Sequence, residues 1–282
     1  MSPQEQTLTT PADTIAALES QAARIRGSLV EMSHRARAAH LGSALSCIDI
    51  LTVLYWKILN IGPDTLDDPL RDRFILSKGH AASAIYATLA HRGLIDRALL
   101  ETYAREGSAL EEHPGPGKVP GVEAATGSLG HGLSIGAGLA LSAGILNQDF
   151  KVYVLVSDGE CNEGSLWEAA MFASGRPLSN LTVIVDFNKW QATGRSCEIT
   201  GLDPLSDKFA AFGWDSFDVD GHDMSQLIRC LKQPGTGRPR AVIAHTVKGK
   251  GVSFMEDDNN WHYRIPTARE VEKARAELGL AP

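Results

Sequence analysis

Two runs of consecutive apolar residues constrain this 282-residue chain more than any other feature: KVYVLVS at 151–157 and LTVIVDF at 181–187. Neither alternates apolar with polar, so each reads as a strand covered on both faces, as inside a parallel sheet. The segment between them, GSLWEAAMFAS, reads as a helix. A strand, a crossover helix and a second strand imply a right-handed connection and a parallel sheet. The alternation continues with a helix near 205–212, the strand WDSFDVD, a helix over 223–232 and the strand AVIAHTV. The pattern predicts an α/β fold, a parallel sheet with helices on both faces.

Upstream the chain is mainly helical. Ile15, Leu18, Ala22, Ile25 and Leu29 recur at helical spacing within 13–39, and Ile48, Leu51, Leu54, Tyr55 and Ile58 do so within 46–59. DTLDDPLRDRF is a turn-rich connection, and FILS begins a short extended piece before a helix from about 80 to 92. A helix of small residues is expected over 130–146, and a short charged one at TAREVEKARAEL. The stretch 107–128, GSALEEHPGPGKVPGVEAATGS, holds too many prolines and glycines for a regular element. Loops of that length inside a compact domain are commonly functional, and His113, Glu123 and Thr126 give this one chemical content. No linker divides the chain, so a single domain over 1–282 is expected, with a helical N-terminal region and a short C-terminal helix.

Charge narrows the function classes. A net charge of −7 argues against a nucleic-acid partner, and the basic pair Arg35 and Arg37 is too short to overturn that. Cys47, Cys161, Cys197 and Cys230 are scattered without Cys-x-x-Cys spacing, which favours reduced thiols and a cytoplasmic location. The N-terminus, MSPQEQTLTTPADT, lacks the apolar core of a signal peptide. The longest apolar stretch, Leu129 to Leu146, is interrupted by His131 and studded with Gly and Ser, so it reads as a buried helix and not a membrane span.

In an open parallel sheet, ligands bind beyond the carboxyl ends of the strands. Here the two strongest strands run into Asp158-Gly159-Glu160 and Asn188-Lys189-Trp190, and both ends face one crevice if the strands are neighbours. Asp158 offers a hard anionic oxygen and Asn188 a neutral amide oxygen, ligands that suit Mg²⁺ completed by water and phosphate. Gly159 permits close approach of a diphosphate, and a helix starting near 163 adds backbone N–H groups and a favourable dipole. Each residue has a blander reading as a helix cap or turn former. Their matched placement at two strand ends shifts the balance. Gly130, Gly132 and Gly136 resemble a dinucleotide fingerprint, yet GVEAATGS before them is a poor strand, so close helix packing explains them better.

The residues from Ser157 to Asn188 resemble the motif of thiamine-diphosphate enzymes, and of transketolases in particular, with Ser157 where the motif carries glycine. RDRFILSKGHAASAIYATL, EEHPG, GVEAATGSLGHGLS and HLGSALS are also similar to transketolase segments, in the same order. The resemblance implies a thiamine-diphosphate-binding domain with Mg²⁺ held by Asp158, Asn188 and the backbone carbonyl of Trp190. It implies further cofactor contacts from Gly159, Glu160, His80, His262, Gly127, Leu129 and Lys248. It places His40, His80, His113 and His262 along the substrate channel, where imidazoles bind hydroxyls and move protons, and Glu163 at an interface between two cofactor sites. His131 stands where many relatives carry Gln, while His34, His91, His222 and His245 have no counterpart and read as structural.

By the same resemblance the reaction moves a two-carbon ketol unit from a ketose to an aldose. No pyrimidine-binding domain is recognised after residue 265, so the chain is expected to be inactive alone and to need a C-terminal partner subunit, most simply as α₂β₂. Small sugars are the expected substrates, with no nucleic-acid or membrane partner. Alternatives are a related ketol transferase or synthase on a specialised sugar and a non-catalytic binding or regulatory paralogue.

Overall fold

The computed structural model describes residues 14–115 and 117–280. The polar segment through residue 13, including the expected helix start there, lies outside the described residues. Five strands form one wholly parallel sheet: β1 (Arg73–Leu76), β2 (Val152–Ser157), β3 (Leu181–Phe187), β4 (Asp215–Asp220) and β5 (Arg240–His245). Their spatial order is β1-β2-β3-β5-β4.

The apolar runs behave as buried parallel strands because each successive residue enters a different core. Along β2, Val152, Val154 and Val156 pack into one layer and Tyr153 and Leu155 into the other. The first layer holds α5 (Gly132–Ile145), α6 (Gly164–Gly175) and α8 (Leu205–Ala211). The second holds α1 (Ile15–Ala36), α2 (Leu41–Ser46), α3 (Ile48–Val53), α4 (Ala82–Arg92) and α9 (Met224–Lys232). Burying each such aliphatic side chain contributes about 1.5–3 kcal/mol. Strand β4 lies at the edge and is only partly buried, which fits its polar DSFDVD sequence.

Local signals explain the element ends. Thr14 caps α1 by accepting from the Ala17 N–H at 3.2 Å, and Arg37 closes the helix in a left-handed conformation. Helix α5 approaches the sheet closely because of its glycines: a Cβ on Gly136 would lie 2.4 Å from Val154 Cγ2. Substituting any larger residue there would force α5 off β2.

The helix expected over 46–59 forms over Ile48–Ile58, as α3 running into a π-helical turn over Leu54–Ile58; the separate α2, which ends at Ser46 and is divided from it at Cys47, was not anticipated. Every residue from Leu41 to Tyr55 is buried, so apolar spacing carries no information about where the helix breaks. The described residues of 107–128 form turns and irregular backbone, as expected, and a four-residue helix α7 (Ser196–Ile199) was not anticipated.

Candidate active site

Strands β2 and β3 are direct neighbours, with Ser157 opposite Asp186. Asp158 and Asn188 therefore leave adjacent strand ends into one cleft of about 400 Å³. The lining includes His40, His80, His113, Gly127, Leu129, Asp158, Gly159, Glu163, Asn188, Trp190 and His262, all expected from the sequence, and Ser43, Asn162 and the 191–193 loop, which were not. Among the described residues no lysine or arginine lines this cleft.

Asp158 is completely buried. Its Oδ1 accepts from the Gly159 N–H at 3.0 Å and its Oδ2 from Ser196 Oγ at 2.7 Å, which ties α7 to the strand end. Burial pushes its carboxyl up to about 7, and the nearby Asp186 charge adds to that. Asn188 accepts at Oδ1 from the Trp190 N–H at 3.1 Å, and its Nδ2 points to Asp186 at 3.4 Å. One Oδ1 lone pair remains for a further partner.

Beneath this pair lies a buried polar network. Asp186 and Lys78 form an ion pair with both side chains fully excluded from solvent. Ser46 Oγ donates to Asp186 at 2.6 Å, Thr246 donates to its other oxygen, and Lys78 also donates to the Ser43 carbonyl at 2.8 Å. The lysine holds the Asp186 carboxyl below its ordinary range against the opposing effect of burial. An Asp within VIVDF reads as a flaw in an apolar strand, and that flaw is the one sign of this network in the sequence.

The four histidines expected to line a substrate channel converge from separate elements. Ring centroids of His40 lie 5.5 Å from His80, 6.1 Å from His113 and 5.1 Å from His262. His40 sits at φ 67°, with its N–H bonded to the His262 carbonyl at 2.8 Å, so the backbone is held in an uncommon conformation to aim the ring. Burial, aided by neighbouring positive charge, lowers His40 to about 4 and His262 to about 3, and lowers His80 strongly. These three rings are neutral near pH 7. Lys248 Nζ reaches His262 Nδ1 at 3.0 Å. An ammonium only donates, so Nδ1 accepts and Nε2 carries the ring proton.

The irregular 107–128 stretch delivers His113 and Gly127 together. Gly127 has φ 150°, and a Cβ on it would lie 3.1 Å from the His113 ring. Glu123 is instead paired with Arg71, and Thr126 packs its backbone against Gly79, so neither faces the cleft.

Two expected cofactor contacts sit elsewhere. Glu160 is buried outside the lining; its carboxylate accepts from Ser77, from the Gly130 N–H at 3.0 Å and from the Ser157 N–H at 2.8 Å. It positions the Gly130 loop from below. Lys248 donates to Asn259 Oδ1 at 2.7 Å and stands behind His262. The polar atoms of both are engaged by local partners beside the cleft. The histidines read as structural are all engaged: His34 with the Pro266 carbonyl, His91 with Gln21 and Ser28, His222 with Asp49 and the Val247 N–H, and His245 with Asp218.

The residues present fit a metal–diphosphate group. Nothing in the chain demands glycine at 159, where a Cβ would meet only Gln191 atoms at 3.6 and 3.8 Å and Ser157 Oγ at 3.9 Å, so the open space above it is available to a ligand. Among the described residues no group of three or more His, Cys, Asp or Glu could hold a metal ion. One carboxylate and one amide oxygen at adjacent strand ends make an incomplete shell, which suits an ion such as Mg²⁺ that retains water and phosphate ligands. Among the described residues no helix is long and apolar enough to cross a membrane, and all four cysteines are free.

Residues 18–282 match the family described as transketolase, thiamine diphosphate binding domain. The chain is 43% identical over 263 residues to an apulose-4-phosphate transketolase subunit of Phocaeicola vulgatus, covering 93% of each chain. It is 38% identical to a 6-deoxy-6-sulfo-D-fructose transketolase subunit of a Clostridium species, covering 93% of this chain and 96% of that one. The solved transketolase of Campylobacter jejuni superposes with a TM-score of 0.88 at 28% identity, over 95% of this chain and 43% of that one. The chain thus spans less than half the length of that transketolase. It belongs to the transketolase family, as a thiamine-diphosphate-binding domain.

Proposed function

We propose that this chain is one subunit of a two-chain, thiamine-diphosphate- and Mg²⁺-dependent transketolase that moves a two-carbon ketol unit from a ketose or ketose phosphate to an aldose. The observation that carries the reading is the placement of Asp158 and Asn188 at adjacent strand ends in a histidine-lined cleft. Asp158, the Asn188 side-chain oxygen and the Trp190 carbonyl would hold Mg²⁺, with Gly159 against the diphosphate and Gly127 and Leu129 against the aminopyrimidine. When bound, the cofactor supplies an electron sink for carbon–carbon cleavage. The chain's own residues bind and orient. Neutral His40 and His80 each offer one acceptor nitrogen to a sugar hydroxyl, and His262, whose Nδ1 is occupied by Lys248, donates its Nε2–H. His113 adds a fourth polar ring on the side of Gly127. The residues form a single domain over 1–282 in this reading.

The enzyme is completed by a C-terminal subunit carrying the pyrimidine-binding domain, in a cytoplasmic α₂β₂ assembly. Two relatives matched over 93% or more of their own length are themselves named as subunits. Glu163 immediately precedes α6, whose exposed Met171 and Phe172 lie in the layer shared with α5, where Ile135 and Ile145 are exposed. Such an apolar surface suits an interface between chains, with Glu163 at its edge.

The names of the relatives favour specialised sugars over a general pentose-phosphate role. A cleft lined without Lys or Arg agrees with recognition of the substrate's far anionic end by the other subunit. Co-expression with a C-terminal transketolase subunit, then assay against a panel of phosphorylated and unphosphorylated sugars, tests the proposal. Ketol transfer is expected only with both chains present; turnover by this chain alone contradicts it.

A further inference from the structure

At the opposite, amino-terminal edge of the sheet lies a second cleft of about 460 Å³. Lys57, Lys151, Lys232, Arg238 and Arg240 line it and, among the described residues, no carboxylate does, in a chain whose net charge is −7. These cations converge from separate places: the π-helical turn, the residue before β2, the end of α9, and the approach to and start of β5.

Arg240 is fixed in position by neutral acceptors. Its Nη1 donates to the Cys230 and Leu231 carbonyls at 3.1 and 3.0 Å, and its Nη2 to the Gln233 carbonyl at 2.7 Å. Its Nε–H is buried with no partner. Two acids stand at the rim without entering the lining: Asp72 accepts the N–H groups of Asn60 and Lys151 at 2.8 Å each, and Asp215 accepts from the Thr236 hydroxyl at 2.6 Å, so five cations face two carboxylates there.

Like charges gathered in a concave site focus positive potential, which a multiply charged anion relieves better than a single carboxylate. Guanidinium and ammonium groups together match phosphate oxygens, and the volume is that of a small-molecule site. We propose that this cleft binds a small phosphorylated anion, a phosphate ester or a diphosphate, separately from the Asp158 cleft.

Calorimetric titration of the full chain with inorganic pyrophosphate, in low salt with EDTA, tests this. Wild type and Asp158→Ala should bind equally, because the site does not use the strand-carboxyl cleft. The double variant Lys151→Ala/Arg238→Ala should bind at least tenfold more weakly while melting at an unchanged temperature, since both side chains are exposed. Binding should also weaken as salt rises. Parallel titrations with orthophosphate and with a sugar phosphate assign the source, and tighter binding of either supports the proposal. Absence of binding in wild type, its loss in Asp158→Ala, or its persistence in the double variant overturns it. Lys232→Ala repeats the test should the double variant fail to fold.

Discussion

The two ends of the sheet handle charge in opposite ways. At the carboxyl end, ionisable groups are buried and matched: Asp186 with Lys78, Glu160 with donors from Ser77, Gly130 and Ser157, and three histidines held neutral. At the amino end, cations stand at the surface without carboxylates lining the same cleft. Burial makes the first end rigid and costly to disturb; exposure makes the second tolerant of change. Asp158 is the exception at the carboxyl end, a buried carboxylate held by hydrogen bonds alone and raised to about 7. Asp186, on the neighbouring strand, has its own lysine, and the proposed function gives Asp158 its counter-charge in the Mg²⁺ ion.

The largest effect should come from breaking a matched pair. Lys78→Met leaves Asp186 buried without its counter-charge and should cost about 3–5 kcal/mol of folding stability, read by urea denaturation. Asp158→Asn should behave oppositely. It removes an unpaired buried anion while keeping the shape, so the metal-free protein should be no less stable, yet Mg²⁺-dependent affinity for thiamine diphosphate should fall about a hundredfold or more.

Acid sensitivity separates the same groups. His40 and His262 have folded pKa values of about 4 and about 3, below the ordinary 6.5, so between these limits the unfolded chain binds more protons. Their contribution to stability is complete above about 6.5 and is lost as pH falls toward 4 and then 3. Asp158 works the other way, because its raised pKa lets the folded state take a proton first as pH falls below about 7. Urea midpoints across pH 7 to 4 should therefore fall more steeply in Asp158→Asn than in wild type, and His40→Asn should flatten the slope. Ser157→Gly should change cofactor affinity only a few-fold at most, measured by titration, since the Ser157 hydroxyl contacts Glu160 and not the Asp158 carboxylate. Smallest of all, Lys151→Ala/Arg238→Ala should leave cofactor affinity unchanged.

These contrasts explain what could be read in advance. The strands at 151–157 and 181–187 were legible because a strand covered on both faces needs an unbroken apolar run. Asp158 and Asn188 were legible because they follow those runs directly. The break at Cys47 was hidden because burial on every side removes the polar face that reports helical phase. Lys78 and Asp186 were missed since they lie far apart in sequence and meet only through the pairing of β3 with its neighbours. His113 stood out with Glu123 and Thr126 in a long irregular loop, and only the resemblance separated it from them, the loop having no periodicity. The amino-end cleft was invisible because its cations span positions 57 to 240 beneath a net negative charge.

Calorimetric titration of thiamine diphosphate into the full chain, with Mg²⁺ and with EDTA, tests the central claim most directly. Binding is expected with Mg²⁺, at least tenfold weaker in EDTA, and similarly weak in Asp158→Asn whether or not Mg²⁺ is present. Equal affinity under all these conditions would contradict the assignment of Asp158 and Asn188 as the anchor of the metal and its diphosphate.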